Sequence, residues 1–299
     1  MSRNRLKDEV FVCLLALICC GVALGQKATS CANCIALNKA QPPFRIFGST
    51  YYVGTHGLTS ILITSHAGHV LIDGDLPESA GVIAGNIRLL GFRIEDVKLI
   101  VNSHVHFDHA GGIADLQRRS GARVVASKWS ADVLRKGGVG KGDPQYGTLP
   151  PLAAVKHVST FRDGESLHVG EITITAHLTP GHTPGGTSWT WKTCEGSACY
   201  DMVYADSLNP ISAPGFRFTK SREYPQAIQD FEKSFAFLEA TPCDVLITAH
   251  PELSGFWDRL ALREKGVKPD PFIDSGACHK LAENAREKLR QRLADEGKR

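Results

Sequence analysis

Apolar residues recur along this chain at two spacings, and the alternation between them predicts the elements. Period-two or short continuous apolar runs over 44–53, 60–65 and 69–72 read as strands. Residues 78–90 have helical spacing, with Pro77 at the start and Gly91 at the end. A strand over 97–101 follows, then a helix opened by Gly111-Gly112 and running to Ser120, a strand over 123–126 and a short helix over 129–134. Residues 136–151 are rich in Gly and Pro and carry no period, which marks a long loop of the kind that usually serves a site. Strand signals resume at 154–158, 172–178, 187–191 and 202–204. A helix fits 224–238, a strand 245–248, and a charged amphipathic helix 280–293 closes the chain. The elements fall into two similar halves, 44–135 and 154–265, with no linker between them. This predicts one α/β domain: an αββα sandwich with two mixed sheets face to face and helices outside.

The first residues have a different pattern. Arg3, Arg5 and Lys7 precede an uncharged run over 10–24, and Ala23-Leu24-Gly25 resembles a small-residue cleavage site before Gln26. Residues 1–25 therefore read as a secretory signal peptide, and 26–299 as the mature domain. The run is shorter than the roughly 20 residues a spanning helix needs. No membrane association is expected after cleavage, and the expected location is the periplasm. An uncleaved anchor, or lipidation at Cys19 or Cys20, is the alternative; Ile18 and Cys19 fit a lipidation box poorly.

Composition adds three points. At 42% hydrophobic and 22% charged the chain is ordinary globular protein, and a net charge of +3 gives no reason to expect a nucleic-acid partner. A monomer acting on a small molecule is the expectation. Removing the leader takes Cys13, Cys19 and Cys20 and leaves Cys31, Cys34, Cys194, Cys199, Cys243 and Cys278, an even set in an exported chain. Cys194 and Cys199 flank a short turn between strands and suit a local bridge. Cys243 and Cys278 suit a tie between the last strand and the final helix. Cys31 and Cys34 can close on each other, exchange thiols or bind metal; a structural bridge is favoured, because no thioredoxin-like pattern surrounds them.

The densest chemistry is His104-Val105-His106-Phe107-Asp108-His109, directly after the strand at 97–101. In an extended loop His104, His106 and Asp108 point one way and His109 another, which suits two adjacent metal ions. Imidazoles with one carboxylate are a ligand set zinc favours. His182, in Thr179-Pro180-Gly181-His182-Thr183-Pro184-Gly185-Gly186, and His250, in Thr248-Ala249-His250-Pro251, also follow strands. His66, His69, His157 and His168 read as solvated, His177 as a packing residue and His56 as a possible lining residue.

Together the His-x-His-x-Asp-His motif, the Gly-His-Thr-Pro-Gly stretch and the strand-end His250 resemble the metallo-β-lactamase superfamily, over nearly all of 44–296. Ala205-Asp206-Ser207-Leu208 and the Cys243/Cys278 pair are most similar to subclass B3 of the metallo-β-lactamases. The resemblance implies two Zn²⁺ per chain. His104, His106 and His182 would hold the first ion, and Asp108, His109 and His250 the second. It further implies that Asp108 orients a zinc-bound hydroxide that opens the β-lactam ring of penicillins, cephalosporins and carbapenems, an antibiotic-resistance activity. Ser207 would bind the substrate carboxylate. Asn209 stands where family members often have a second serine. Asp143-Pro144-Gln145-Tyr146-Gly147 resembles the substrate-facing loop, so Gln145 and Tyr146 are candidate contacts. Asp206 is read as a support; in the lactonase and glyoxalase II branches, the alternative function, an aspartate from this region bridges the metals.

Overall fold

A computed structural model describes residue 31 and residues 33–298. The leader lies outside these residues. A short helix α1 (Cys34–Leu37) comes first. Seven strands then form one sheet in sequence order: β1 (Phe44–Phe47), β2 (Thr50–Tyr52), β3 (Ile61–Ser65), β4 (Gly68–Ile72), β5 (Val97–Val101), β6 (Arg123–Ala126) and β7 (Val158–Thr160). Pairing is antiparallel from β1 to β4 and parallel from β4 to β7. The parallel crossovers carry α2 (Ala80–Leu89), the short α3 (Phe107–Ala110), α4 (Ile113–Ser120) and α5 (Lys128–Lys136). The second sheet holds β8 (Ser166–Val169), β9 (Ile172–Leu178), β10 (Thr187–Glu195), β11 (Ala198–Ala205) and β12 (Val245–Thr248), in the order β12-β11-β10-β9-β8. Helices α6 (Ala227–Ala240), α7 (Phe256–Glu264) and α8 (Ala277–Gly297) complete the chain.

Strand alternation builds the layers. Ile61 and Ile63, Leu99 and Val101, Met202 and Tyr204, and Val245 and Ile247 share the core between the sheets. Their alternates face outward: Leu62 and Ile100 into the core under α2, α4 and α5, and Val203 and Leu246 into the core under α6 and α8. A strand covered on both faces must be apolar throughout, and β4 and β12 are buried at every position. This is the expected αββα sandwich.

Several expectations need correction. The predicted strand over 44–53 is two strands with a turn between them, where Gly48 has φ +52°. The strand expected at 154–158 forms later, at Val158–Thr160, and pairs with β6, so the first half extends to residue 160. Neither β8 nor α7 is predicted by the pattern. His69 is not solvated; it is buried edge-on to Phe92, with ring centroids 5.1 Å apart. Disulfides join Cys31 to Cys34, Cys194 to Cys199 and Cys243 to Cys278. Among the described residues no helix is long and apolar enough to cross a membrane.

Candidate metal centre

The C-terminal ends of β4, β5, β11 and β12 and the loop after β9 converge on one edge of the sandwich. Asp73 follows β4 in a left-handed conformation, φ 62°, an unusual state for a residue with a side chain. From there its carboxylate accepts the Ser103 amide at 2.6 Å, the Ser103 hydroxyl at 2.7 Å and the Tyr204 hydroxyl at 2.7 Å. The Thr187 amide binds the Ser103 carbonyl at 2.8 Å. The loop before the histidine motif is thus fixed from both sheets.

The motif is extended only as far as His106, with φ −77° and ψ 156°; α3 starts at Phe107. This corrects the extended reading of the whole hexapeptide. A helical turn separates Asp108 from His109 by about 100°, which splits the ligands differently from a strand. The structure brings His104, His106 and His182 together with ligand atoms within 4.8 Å of one another. Asp108 and His109 form a second such group with His104. His250 also reaches it: its Nε2 lies 3.1 Å from His109 Nε2 and 3.7 Å from Asp108 Oδ2, and His109 Nε2 is 3.6 Å from Asp108 Oδ2. Tetrahedral zinc with bonds near 2.0–2.1 Å needs ligand atoms about 3.3 Å apart, so these spacings suit it.

Each imidazole of the first group is held by its outer nitrogen. His104 Nδ1 lies 2.7 Å from Asp206 Oδ1, His106 Nε2 lies 3.1 Å from Asp143 Oδ2, and His182 Nδ1 donates to the Asn209 carbonyl at 2.8 Å. The buried His104 Nε2 has no hydrogen-bond partner. An outer partner that leaves the other ring nitrogen facing the site is how metal-ligating histidines are oriented. Asp143 was missed by sequence reasoning; its signal was a single acid inside the Gly/Pro loop.

Charge agrees. Burial, then the neighbouring imidazoles, push His104 well below its ordinary value and His182 down to about 3. Burial and His109 bring His250 down to about 4. These rings are neutral at pH 7, the form that binds metal. His109 differs: burial lowers it, but Asp108, Asp73 and Asp75 together raise it to about 9. Burial raises Asp108, yet His109, His250 and His106 hold it below its usual value, so it is ionised. A pocket of carboxylates that retains a proton on His109 is a pocket built for a cation.

The remaining candidates lie around these groups. Gln145 Nε2 is 3.3 Å from His106 Nδ1 and 3.5 Å from His182 Nε2. Tyr146 is 47% exposed. Ser207 is buried beside Asp206. The Asn209 side chain accepts from Lys288 Nζ at 3.3 Å while its carbonyl holds His182. His56 stacks on Trp257 at 4.5 Å.

The sequence profile of the metallo-beta-lactamase superfamily matches residues 53–250, which span every residue of the two groups. The chain belongs to the metallo-β-lactamase superfamily. Among solved structures this superfamily member is similar to the Rm3 metallo-beta-lactamase, with 56% identity and TM-score 0.88 over 90% of this chain and 99% of that one. It is also similar to MEM-A1, a subclass B3 metallo-beta-lactamase from a soil metagenome library, with 52% identity and TM-score 0.85 over 87% and 98%. Among curated relatives it resembles the hydroxyacylglutathione hydrolase of Methylobacterium nodulans, 32% identical over 36% of this chain and 33% of that one. The chain thus spans about a third of that relative's length. The structural likeness of this chain is to metallo-β-lactamases, one of them of subclass B3.

Proposed function

We propose that the protein is an exported zinc β-lactamase of subclass B3, holding two zinc ions and opening the ring of penicillins, cephalosporins and carbapenems. The observation that carries this reading is the pair of adjacent ligand groups, His104/His106/His182 and Asp108/His109/His250. It sits in a chain that resembles the Rm3 and MEM-A1 enzymes over nearly its whole length. Export follows from the leader at 1–25, and periplasmic release from its cleavage.

Zinc, when bound, supplies a Lewis acid and brings the pKa of a coordinated water from 15.7 to about 7. The residues do the rest. Three imidazoles held by Asp206, Asp143 and the Asn209 carbonyl keep their inner nitrogens fixed, so little reorganisation accompanies the reaction. Asp108, ionised and beside His109 and His250, accepts a proton from the attacking water. It can return that proton to the ring nitrogen as the C–N bond breaks, which removes the need for a separate acid. Gln145, whose amide lies against His106 and His182, and the exposed Tyr146 would contact the substrate, and Ser207 and Asn209 would take its carboxylate. Asp206 contacts the outer nitrogen of His104, which favours support over bridging.

The match to a hydroxyacylglutathione hydrolase keeps a thioesterase or lactonase as the second reading. A panel decides between them: a penicillin, a cephalosporin and a carbapenem beside a homoserine lactone and a glutathione thioester. Ring opening of the β-lactams at the higher kcat/KM is expected. Preference for the thioester or lactone would overturn the proposal.

A further inference from the structure

Lys288, Arg292 and Glu296 recur every four residues, so they form one stripe of α8. A second stripe, Cys278, Ala282, Ala285 and Leu289, is buried in the core. The charged stripe meets the segment 207–219 that follows β11. Arg292 Nη2 donates to the Ser212 hydroxyl at 2.7 Å and the Phe216 carbonyl at 3.0 Å. Glu296 is only 4% exposed. Its Oε1 accepts the Phe218 amide at 3.0 Å and Arg292 Nε at 2.9 Å; its Oε2 accepts the Thr219 amide at 3.0 Å and hydroxyl at 2.8 Å. Burial pushes the Glu296 carboxyl up, but the bonds from Thr219, Arg292 and Phe218 outweigh it and hold the group below its ordinary value. A buried carboxylate with every bonding direction filled is costly to assemble and rigid once made.

The same segment touches the metal centre. The Asn209 carbonyl holds His182 Nδ1 at 2.8 Å. The Ala213 amide donates to the Pro144 carbonyl at 2.8 Å. Pro144 lies between Asp143, which holds His106, and Gln145. Residues 207–219 contain no helix or strand, so their position comes from such contacts.

We propose that Arg292 and Glu296 at the end of α8 are positioning residues for the metal centre. By fixing 207–219 they hold His182 and the Asp143–Gln145 turn in ligating geometry. This rests on the reading of His104, His106 and His182 as a zinc site. The Cys243–Cys278 disulfide and the Leu289 stripe anchor α8 independently, so loosening its end leaves the helix docked.

The test compares wild type with Glu296→Gln and Arg292→Leu. Amide exchange is followed by NMR on zinc-free protein, and zinc affinity by competition with a chelating indicator. Faster exchange is expected at Phe218 and Thr219 and also at the amides of Asp143, Gln145 and Tyr146. The zinc dissociation constant of the first site should rise roughly tenfold, the lower end of what losing an outer-shell partner costs. Arg292→Lys should restore part of both. Should Glu296→Gln not fold, Arg292→Leu carries both readouts. Faster exchange confined to 212–219 with unchanged zinc affinity would overturn the inference. If wild type itself binds no zinc, the metal reading fails, and the exchange at 143–146 still decides the coupling.

Discussion

Asp206 is the residue on which the description of the second ion turns. Its Oδ1 lies 2.7 Å from His104 Nδ1, while its buried Oδ2 has no partner. As a support, Asp206→Asn should weaken zinc binding at the first group by about 10-fold to 100-fold and leave two ions per chain at saturation. Elemental analysis showing one ion lost would make Asp206 a ligand. Asp108 bears on the chemistry: Asp108→Asn should lower kcat by about 10²-fold or more, with near-wild-type activity contradicting its role as proton carrier. His109 gives a pH signature. Its folded pKa of about 9 keeps it protonated at pH 7, and zinc must displace that proton. Affinity at the second group should therefore rise with pH up to about 9. Calorimetry in buffers of different ionisation enthalpy should show the His109 proton released at pH 7, beside that of any coordinated water, and no His109 contribution near pH 10. Absence of release at pH 7 would contradict a protonated His109 that gives up its proton to the ion.

At the scale of elements, the backbone approaches closely where β10 begins. A Cβ on Gly186 would lie 2.3 Å from Asp206 Oδ2 and 2.6 Å from the Thr179 carbonyl. Gly186→Ala should cost about 1–3 kcal/mol in urea unfolding and weaken zinc binding through Asp206. Gly85, within α2, has nothing within 4 Å of its added Cβ, so Gly85→Ala should instead stabilise by roughly 0.5–1 kcal/mol. Equal effects at the two positions would contradict this account of packing. The same distinction governs how much was legible in the sequence. Strands β5 and β12 are mostly apolar runs and β9 alternates Ile with Thr, each ended by turn residues, and their limits were readable. Helix α7 fully buries only Phe256, with Trp257 and Leu260 partly buried beside it, so its apolar stripe is too short to read. Strand β8 is four residues long with alternating burial, too short to register. The histidines were legible because each follows a strand and because the motif resembles a known one. Asp143 was not, since its contact with His106 spans 37 positions and exists only once the long loop folds over the site.

Across the whole molecule, two sheets pack face to face with the ligand groups at one edge, and the C-terminal helix is tied back across the second. The Cys243–Cys278 bridge closes a sequence separation of 35 residues and Cys194–Cys199 one of 5. Loop entropy gives about 4 kcal/mol for the longer and about 2 kcal/mol for the shorter. The Cys243→Ala/Cys278→Ala pair should therefore lower stability more than Cys194→Ala/Cys199→Ala in denaturant melts; the reverse order would show that α8 is held chiefly by its core stripe. On the proposed reading, two ions divided between the two ligand groups make this sandwich a β-lactamase. Titrating zinc into chelator-stripped protein while following hydrolysis of a carbapenem tests it most directly. No turnover is expected without metal, with full recovery at two zinc ions per chain. Turnover that survives complete zinc removal, or that saturates with His250 replaced by Ala and one ion bound, would contradict it.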